Sequence, residues 1–477
     1  MVTHKHVGKR TWGQGQNVEA TGREGRGTTI TPDTPYEECS ERLTAFGGLL
    51  ALVKFLDLIG FEKSFQKRFV PPKRVPKLGG YRMMLGMLML LFIGFQRLWH
   101  FTYIRGDAMV CGILRVTMLP AVTTFWRYLC SLSIMQSQSL LRLGGELRRR
   151  VWELCEYRPK RVTVNIDTTV STVYGQIEGA RKGHNTKHRG KKGLRPVLCF
   201  LSDTREYLCG DQRRGQTMKN EEVARQIRRF RGQLPDCVEQ VRVHGDGEFI
   251  GWESVKACQE QGFFYTFGNK RCDPPFPEKG WYRHGDHEYN ECEYQPMGWE
   301  ESSRFVVMRI RKEDRGDRQL KLLESENYVY RAFATNETMR PHNVIGQYDP
   351  RADAENLIGE AQREGVLAIP SRKFQAHHAF FQIVMLAYNL WRWMKMLAAH
   401  AQQKDQAREK GKDTFPITIA DQTIRIARLK MLFVAAKIRF HGNRDEVRYS
   451  IHESRAAGII DFLRYLDHRR EQEGLAA

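Results

Sequence analysis

Arg161 to Thr169 reads RVTVNIDTT, and Val241 to Asp246 reads VRVHGD. Both are short runs of β-branched and apolar residues, and each closes on an aspartate. Side chains branched at Cβ are stiff at χ1 and fit a pleated surface better than a helix. Each run therefore predicts a strand, one ending at Asp167 and the other at Asp246. Between them, PVLCFLSD (196–203) and REYLCGDQRR (205–214) predict two further strands. NEEVARQIRRF (220–230) predicts a helix with Asn220 as its N-cap. After Asp246, GWESVKACQEQG (251–262) predicts a helix and FFYTFGN (263–269) a strand. Three strands followed by helix, strand, helix and strand describe a mixed α/β domain over 159–270.

In an open α/β sheet the carboxyl ends of central strands are where sites form. Two aspartates brought together there repel one another and need a cation, and oxygen ligands of this kind suit Mg²⁺ or Mn²⁺. A single such aspartate would more simply cap its turn. The third acid of interest is Glu355, within YDPRADAENLIGEAQ (348–362). At about 100° per residue, Tyr348, Arg351, Glu355 and Gln362 fall on one helical face and Asp353 lies nearly opposite. Asp349–Pro350 predicts an N-cap and first helical residue. On this stretch alone, a solvated helix face with an Arg351–Glu355 pair accounts for the pattern better than a site does.

Glu178 to Arg195, EGARKGHNTKHRGKKGLR, carries seven Lys or Arg, two His, four Gly and one acid. It follows Asp167, so it predicts a hairpin-like loop beside the acids. Arg181, Lys182, Lys187, Arg189, Lys191 and Lys192 are its candidate phosphate contacts, with glycine backbone allowing close approach.

The rest of the chain is organised around this block. Residues 1–38 predict a disordered basic tail, and 39–158 an all-helical DNA-binding region. Residues 271–327, with Pro274, Pro275 and Pro277 and a strand-like FVVMRIRK, predict a β-rich insertion. The α/β domain resumes over 328–405 with the Glu355 helix, and 406–477 predicts a C-terminal helical region. Met83 to Phe95 has no polar side chain but spans thirteen residues between Arg82 and Arg97. A membrane-spanning helix needs roughly 20, so this predicts a buried core helix and no membrane partner. Residues 1–35 hold no apolar block of the export type, and the ten cysteines form no CxxC pair, so the expected compartment is the cytoplasm, with reduced thiols. Cys272, His284, His287 and Cys292 fit the spacing of no compact zinc finger. The 477 residues carry 76 Lys plus Arg against 55 Asp plus Glu, a formal net charge of +21. Such an excess points to a polyanion, nucleic acid above all.

IDTTVSTVYGQIEGARKGHN, VRVHGDGEF, and YDPRADAEN followed by MLAYNLWRWMK together resemble the DDE transposases of bacterial insertion sequences, most of all the insertion sequence 1380 group. The likeness covers roughly residues 100 to 440. It implies a ribonuclease H-like catalytic domain with a β-rich insertion before the last acid, and Asp167, Asp246 and Glu355 as the catalytic, metal-binding triad. It also implies two Mg²⁺ ions, for which Mn²⁺ can substitute. Tyr348, Arg351 and Glu355 match the Tyr-Arg-Glu part of that group's Tyr-Arg-Glu-Lys signature, which makes Tyr348 and Arg351 DNA contacts, while Gln362 stands where the lysine belongs. The implied activity is cut-and-paste transposition. Double-stranded DNA is cut at terminal inverted repeats and the 3′-OH ends are joined to target DNA, in a homodimeric synapse on the nucleoid, with a hairpin intermediate suggested. Trp281 or Trp299 could stack a flipped base there, or simply pack the insertion. Thr123 to Leu129 (TTFWRYL) could be a recognition helix, or a buried one with Phe125, Trp126 and Leu129 on one face. An inactive transposase-derived repressor and a metal-dependent nuclease of the same fold are the competing readings.

Overall fold

A computed structural model describes residues 30–183, 188–311, 328–408, 419–441 and 444–475. The chain divides into a short unit, Met1–Glu41, and a large one, Arg42–Ala477. Of the short unit, the described part is extended chain with one turn, closed by Thr34 N–H on the Thr31 carbonyl at 3.0 Å. The tail expected over 1–38 lies outside the described residues up to residue 29.

In the large unit the predicted strands form one sheet. We number them β1 (Arg161–Thr168), β2 (Val197–Leu201), β3 (Tyr207–Asp211), β4 (Gln240–Gly245), β5 (Phe264–Gly268), β6 (Tyr282–His284), β7 (His287–Tyr294), β8 (Ser303–Arg311) and β9 (Tyr328–Thr335). Their spatial order is β6-β7-β8-β9-β5-β4-β1-β2-β3. β1 pairs in parallel with β4, and β4 with β5, while the other neighbours run antiparallel. The strands of the expected insertion thus continue the central sheet through β9 and β5.

The helices that bear on the site are α1 (Gly80–Ile93), α2 (Val122–Ser131), α3 (Ile134–Leu154), α4 (Asn220–Ile227), α5 (Trp252–Glu260), α6 (Pro341–Tyr348), α7 (Asp353–Ala361) and α8 (Phe374–Arg408). α3 starts at a capping box, in which Ser133 accepts from Gln136 N–H and the Gln136 side chain accepts from Ser133 N–H. α4 begins at Asn220 itself and not after it. The N-cap is Lys219, and Glu222, in the first turn, reaches back to accept from its N–H at 2.9 Å. Met83 to Ile93 are all buried, because α1 packs on α8, and Phe92 stacks on Trp391 with centroids 4.1 Å apart. Among the described residues no single helix is long and apolar enough to cross a membrane.

One buried carboxylate binds the helical layer to the sheet. Glu206, fully buried at the head of β3, accepts from Arg148 Nε (3.0 Å) and Trp152 Nε1 (2.9 Å) of α3 and from Trp393 Nε1 of α8. Arg148 also donates to the carbonyls of Gln233 and Tyr207. A buried ion survives only when its partners are this complete.

Two regions expected to be wholly helical carry strands. Leu43–Thr44 pairs with Ala436–His441, which in turn pairs with Arg444–Tyr449. The region after residue 406 therefore folds back on the start of the large unit through a hairpin as well as helices. Its alternating AKIRFH and RDEVRY were short enough to pass for helix.

Candidate active site

Val162, Val164 and Ile166 on β1 and Val241 and Val243 on β4 are buried, and this fixes the register of the parallel pair. Ile166 stands opposite Gly245, so the next residues, Asp167 and Asp246, leave the two strands side by side at their carboxyl ends. Asp167 accepts from its neighbour Thr168 N–H at 2.7 Å, and Asp246 from Glu248 N–H at 2.9 Å. Burial pushes the Asp167 carboxyl up to about 6; the charges of Asp246 and Glu355 push the same way, against the opposing pull of Arg351.

The segment from 341 to 366 crosses over these strand ends. Asp349 does not cap a new helix. The chain is already helical there, and it passes through a tight 3₁₀ turn, Asp349–Ala352, from α6 into α7. Pro350 has no N–H to give an α-helical ladder, and the tighter turn accommodates it. Three of the four positions expected on one face, Tyr348, Arg351 and Gln362, reach the strand ends, and Glu355 is exposed. Tyr348 Oη donates to the Gly245 carbonyl at 3.1 Å. Arg351 lies 3.3 Å from Asp167 Oδ2 and 3.4 Å from the Ile166 carbonyl, and its buried Nε has no partner. Gln362 Nε2 donates to Thr169 Oγ1 at 2.7 Å, which ties this residue to the loop after Asp167. Asp353 turns away and pairs with Arg205 at 3.1 Å. Arg351 thus pairs with Asp167 and not with Glu355, which is exposed.

The donor set suits a hard cation in its chemistry, being three carboxylates of which Asp167 feels the charges of the other two. The spacing is open: among the described residues no three His, Cys, Asp or Glu side chains lie close enough to hold an ion. That holds equally for Cys272, His284, His287 and Cys292, where His284 instead stacks on His342 at 4.0 Å.

The basic stretch is a small sheet of its own, Ser171–Thr172, Lys192–Leu194 and Arg181–Lys182 in that order. Arg181, Lys182, Arg189, Lys191 and Lys192 are exposed, and Lys187 lies outside the described residues. Lys182 stands directly opposite Lys192. Like charges facing across an antiparallel pair destabilise it.

Three neighbours of the site escaped the sequence reading. Arg195, the last cation of the stretch, is buried; it donates to Thr168 Oγ1 at 3.1 Å and pairs with Glu248, clasping the ends of β1 and β4 together. His244 is buried beside Tyr348, with centroids 5.4 Å apart. Burial, with help from Arg242 and Arg351, holds its imidazole neutral, down to about 3. Thr169 is the partner of Gln362. Only the position of Arg195 directly before Pro196, at a strand start, hinted that it was not part of the loop.

The aromatic expectations divide. Trp299 packs between Trp252 and Phe305, and Trp281 is covered by the Arg309 guanidinium 3.9 Å from its ring centre. In α2, Phe125, Tyr128 and Leu129 are buried, but Trp126 is 42% exposed beside Arg127. A step of about 100° from Phe125 carries Trp126 off the core face it was expected to share.

A mixed sheet with carboxylates at the ends of parallel strands, and a basic sheet beside them, defines a protein that handles phosphodiesters. The chain belongs to the family described as transposase DDE domain group 1, whose model matches residues 37–469. It is therefore a transposase of the DDE class. No curated protein matches it. Among solved structures, a piggyBac transposase synaptic complex with hairpin DNA is similar over 80% of each chain, at 10% identity and a TM-score of 0.38.

Proposed function

We propose that this transposase cuts double-stranded DNA at the terminal inverted repeats of an insertion sequence and joins the freed 3′-OH ends to target DNA. The observation that carries the proposal is the parallel register of β1 with β4, which sets Asp167 beside Asp246 beneath the segment bearing Glu355. On this reading the strands β3-β2-β1-β4-β5, three antiparallel and then two parallel, form a ribonuclease H-like core, and the insertion sequence 1380 group is the chain's place within the family. Asp167, Asp246 and Glu355 would hold Mg²⁺, which when bound supplies charge neutralisation at the scissile phosphate and a more acidic attacking water.

The protein's own groups do the positioning. Arg351, with its unpaired Nε, holds a phosphate oxygen next to Asp167. Tyr348, bonded to Gly245, and neutral His244 pack the strand end against α6, so that Asp246 does not swing away. The exposed Arg181, Lys182, Arg189, Lys191 and Lys192 neutralise backbone phosphates flanking the cut. Water attacks first and a 3′-OH later, in line at the same phosphate geometry, so no covalent protein intermediate is required. Two ends would meet in a homodimeric synapse.

The test is a labelled transposon end incubated in Mg²⁺ with wild type, Asp167→Asn, Asp246→Asn and Glu355→Gln. Each variant is expected to bind the end and lose cleavage and joining together. A variant that cleaves at near the wild-type rate removes that residue from the triad. Wild-type cleavage without joining would indicate a nuclease, and binding without either a repressor.

A further inference from the structure

Behind α7, on the face that Asp353 presents away from the strand ends, a polar cleft of about 810 Å³ opens between α7, α8 and the Ser202–Arg205 turn. We propose that this cleft is an anion site that takes a phosphate group, with Lys395 of α8 as its central cation.

Several polar groups in its wall are left without a matching partner. Arg205 is used on Asp353, and Arg392 on Glu360, but Lys395 is not matched in this way. Lys395 is 4% exposed and donates only to the Gln422 backbone carbonyl, and no carboxylate lies at ion-pair distance among the described residues. A buried ammonium in that condition costs free energy unless something anionic comes to it. Burial, and then repulsion from Arg392 and Arg205, draws its pKa down to about 7, and the opposing pull of Asp421 on the rim does not offset them. Two other polar atoms in the wall are buried with no partner, Thr204 Oγ1 and Arg205 Nε. All three vacancies can be filled by a ligand that accepts hydrogen bonds, and two of the three offer donors only. Acceptor-rich, anionic and small enough to reach past the exposed rim carboxylates Asp203 and Asp421 describes a phosphate. The volume leaves room for more than the phosphate itself, so the group could belong to a DNA backbone or to a free nucleotide.

The experiment is ³¹P NMR and calorimetry on the full chain with pyrophosphate, in metal-free buffer at 0.3 M KCl, where surface charges are screened. Wild type should bind saturably. Lys395→Met should weaken binding at least tenfold, Thr204→Val two- to fivefold, and Lys395→Arg little. Displacement of pyrophosphate by a random-sequence duplex assigns the phosphate to DNA, whereas displacement by ATP but not by duplex assigns it to a nucleotide. No saturable binding by wild type, or wild-type affinity in Lys395→Met, overturns the proposal. Should near-UV circular dichroism show Lys395→Met misfolded, Thr204→Val decides, and unchanged affinity in it overturns the proposal equally. None of these outcomes depends on cleavage, so they stand apart from the triad's test.

Discussion

Asp167 makes the site's chemistry visible in the stability of the protein. Its native carboxyl titrates at about 6 against an ordinary 3.8, so between these values the folded protein binds more protons than the unfolded chain. Stability from this group is therefore lost as pH rises through that window. At about 1.4 kcal/mol per pH unit, the loss approaches ~3 kcal/mol. Urea midpoints of wild type and Asp167→Asn in metal-free buffer should diverge accordingly, with the variant gaining on wild type from pH 4 to pH 7.5 and Mg²⁺ reducing the gain. A constant difference across pH would mean that Asp167 is solvated. Arg351 is its main opposing charge. Arg351→Ala should slow cleavage by ten- to about a hundredfold, the worth of one charge-assisted phosphate contact. It should also move the acid limb of the pH–rate profile to higher pH, because Asp167 loses the cation that favours its charged form. Full rescue by high Mn²⁺ would exclude a phosphate-holding role.

At the scale of elements, the sequence was legible where one rule acted alone. Alternation and β-branching marked β1 and β4, and the 100° step correctly turned Asp353 away from Arg351. It was illegible where the partner was distant. Nothing local says that Leu43–Thr44 will meet Ala436, or that Arg351 will prefer Asp167 to a glutamate one turn away. The Lys182–Lys192 pair belongs to this second kind, since its register appears only once the small sheet is closed. Replacing both with Ala should flatten the slope of log K for DNA against log salt by up to ~1.8, at about 0.9 per phosphate contact. The same change should leave the free protein as stable as before, or more stable by up to ~1 kcal/mol, because it removes facing like charges. A protein that is destabilised while its salt slope stays fixed would make the pair structural.

Over the whole molecule, composition pointed to nucleic acid but not to how the helical layer and the sheet share a core. The apolar cluster runs unbroken from Leu49 through α1, α3 and the strands to Leu466. Glu206 is buried within it, holding to β3 two helices that are more than 200 residues apart in sequence. Glu206→Gln keeps the shape, but it removes the charge that Arg148 is buried against and turns an amide N–H donor toward groups that are themselves donors. Breaking one partner of a buried ion pair costs about 3–5 kcal/mol. If the region before residue 158 and the sheet were independent, that loss would fall on one of them, and unfolding followed by tryptophan fluorescence and by far-UV circular dichroism would separate into two transitions. The continuous core predicts instead that both signals move together to lower urea. A split transition, with one half at its wild-type midpoint, would show that the helical layer folds by itself and that Glu206 fastens two finished domains.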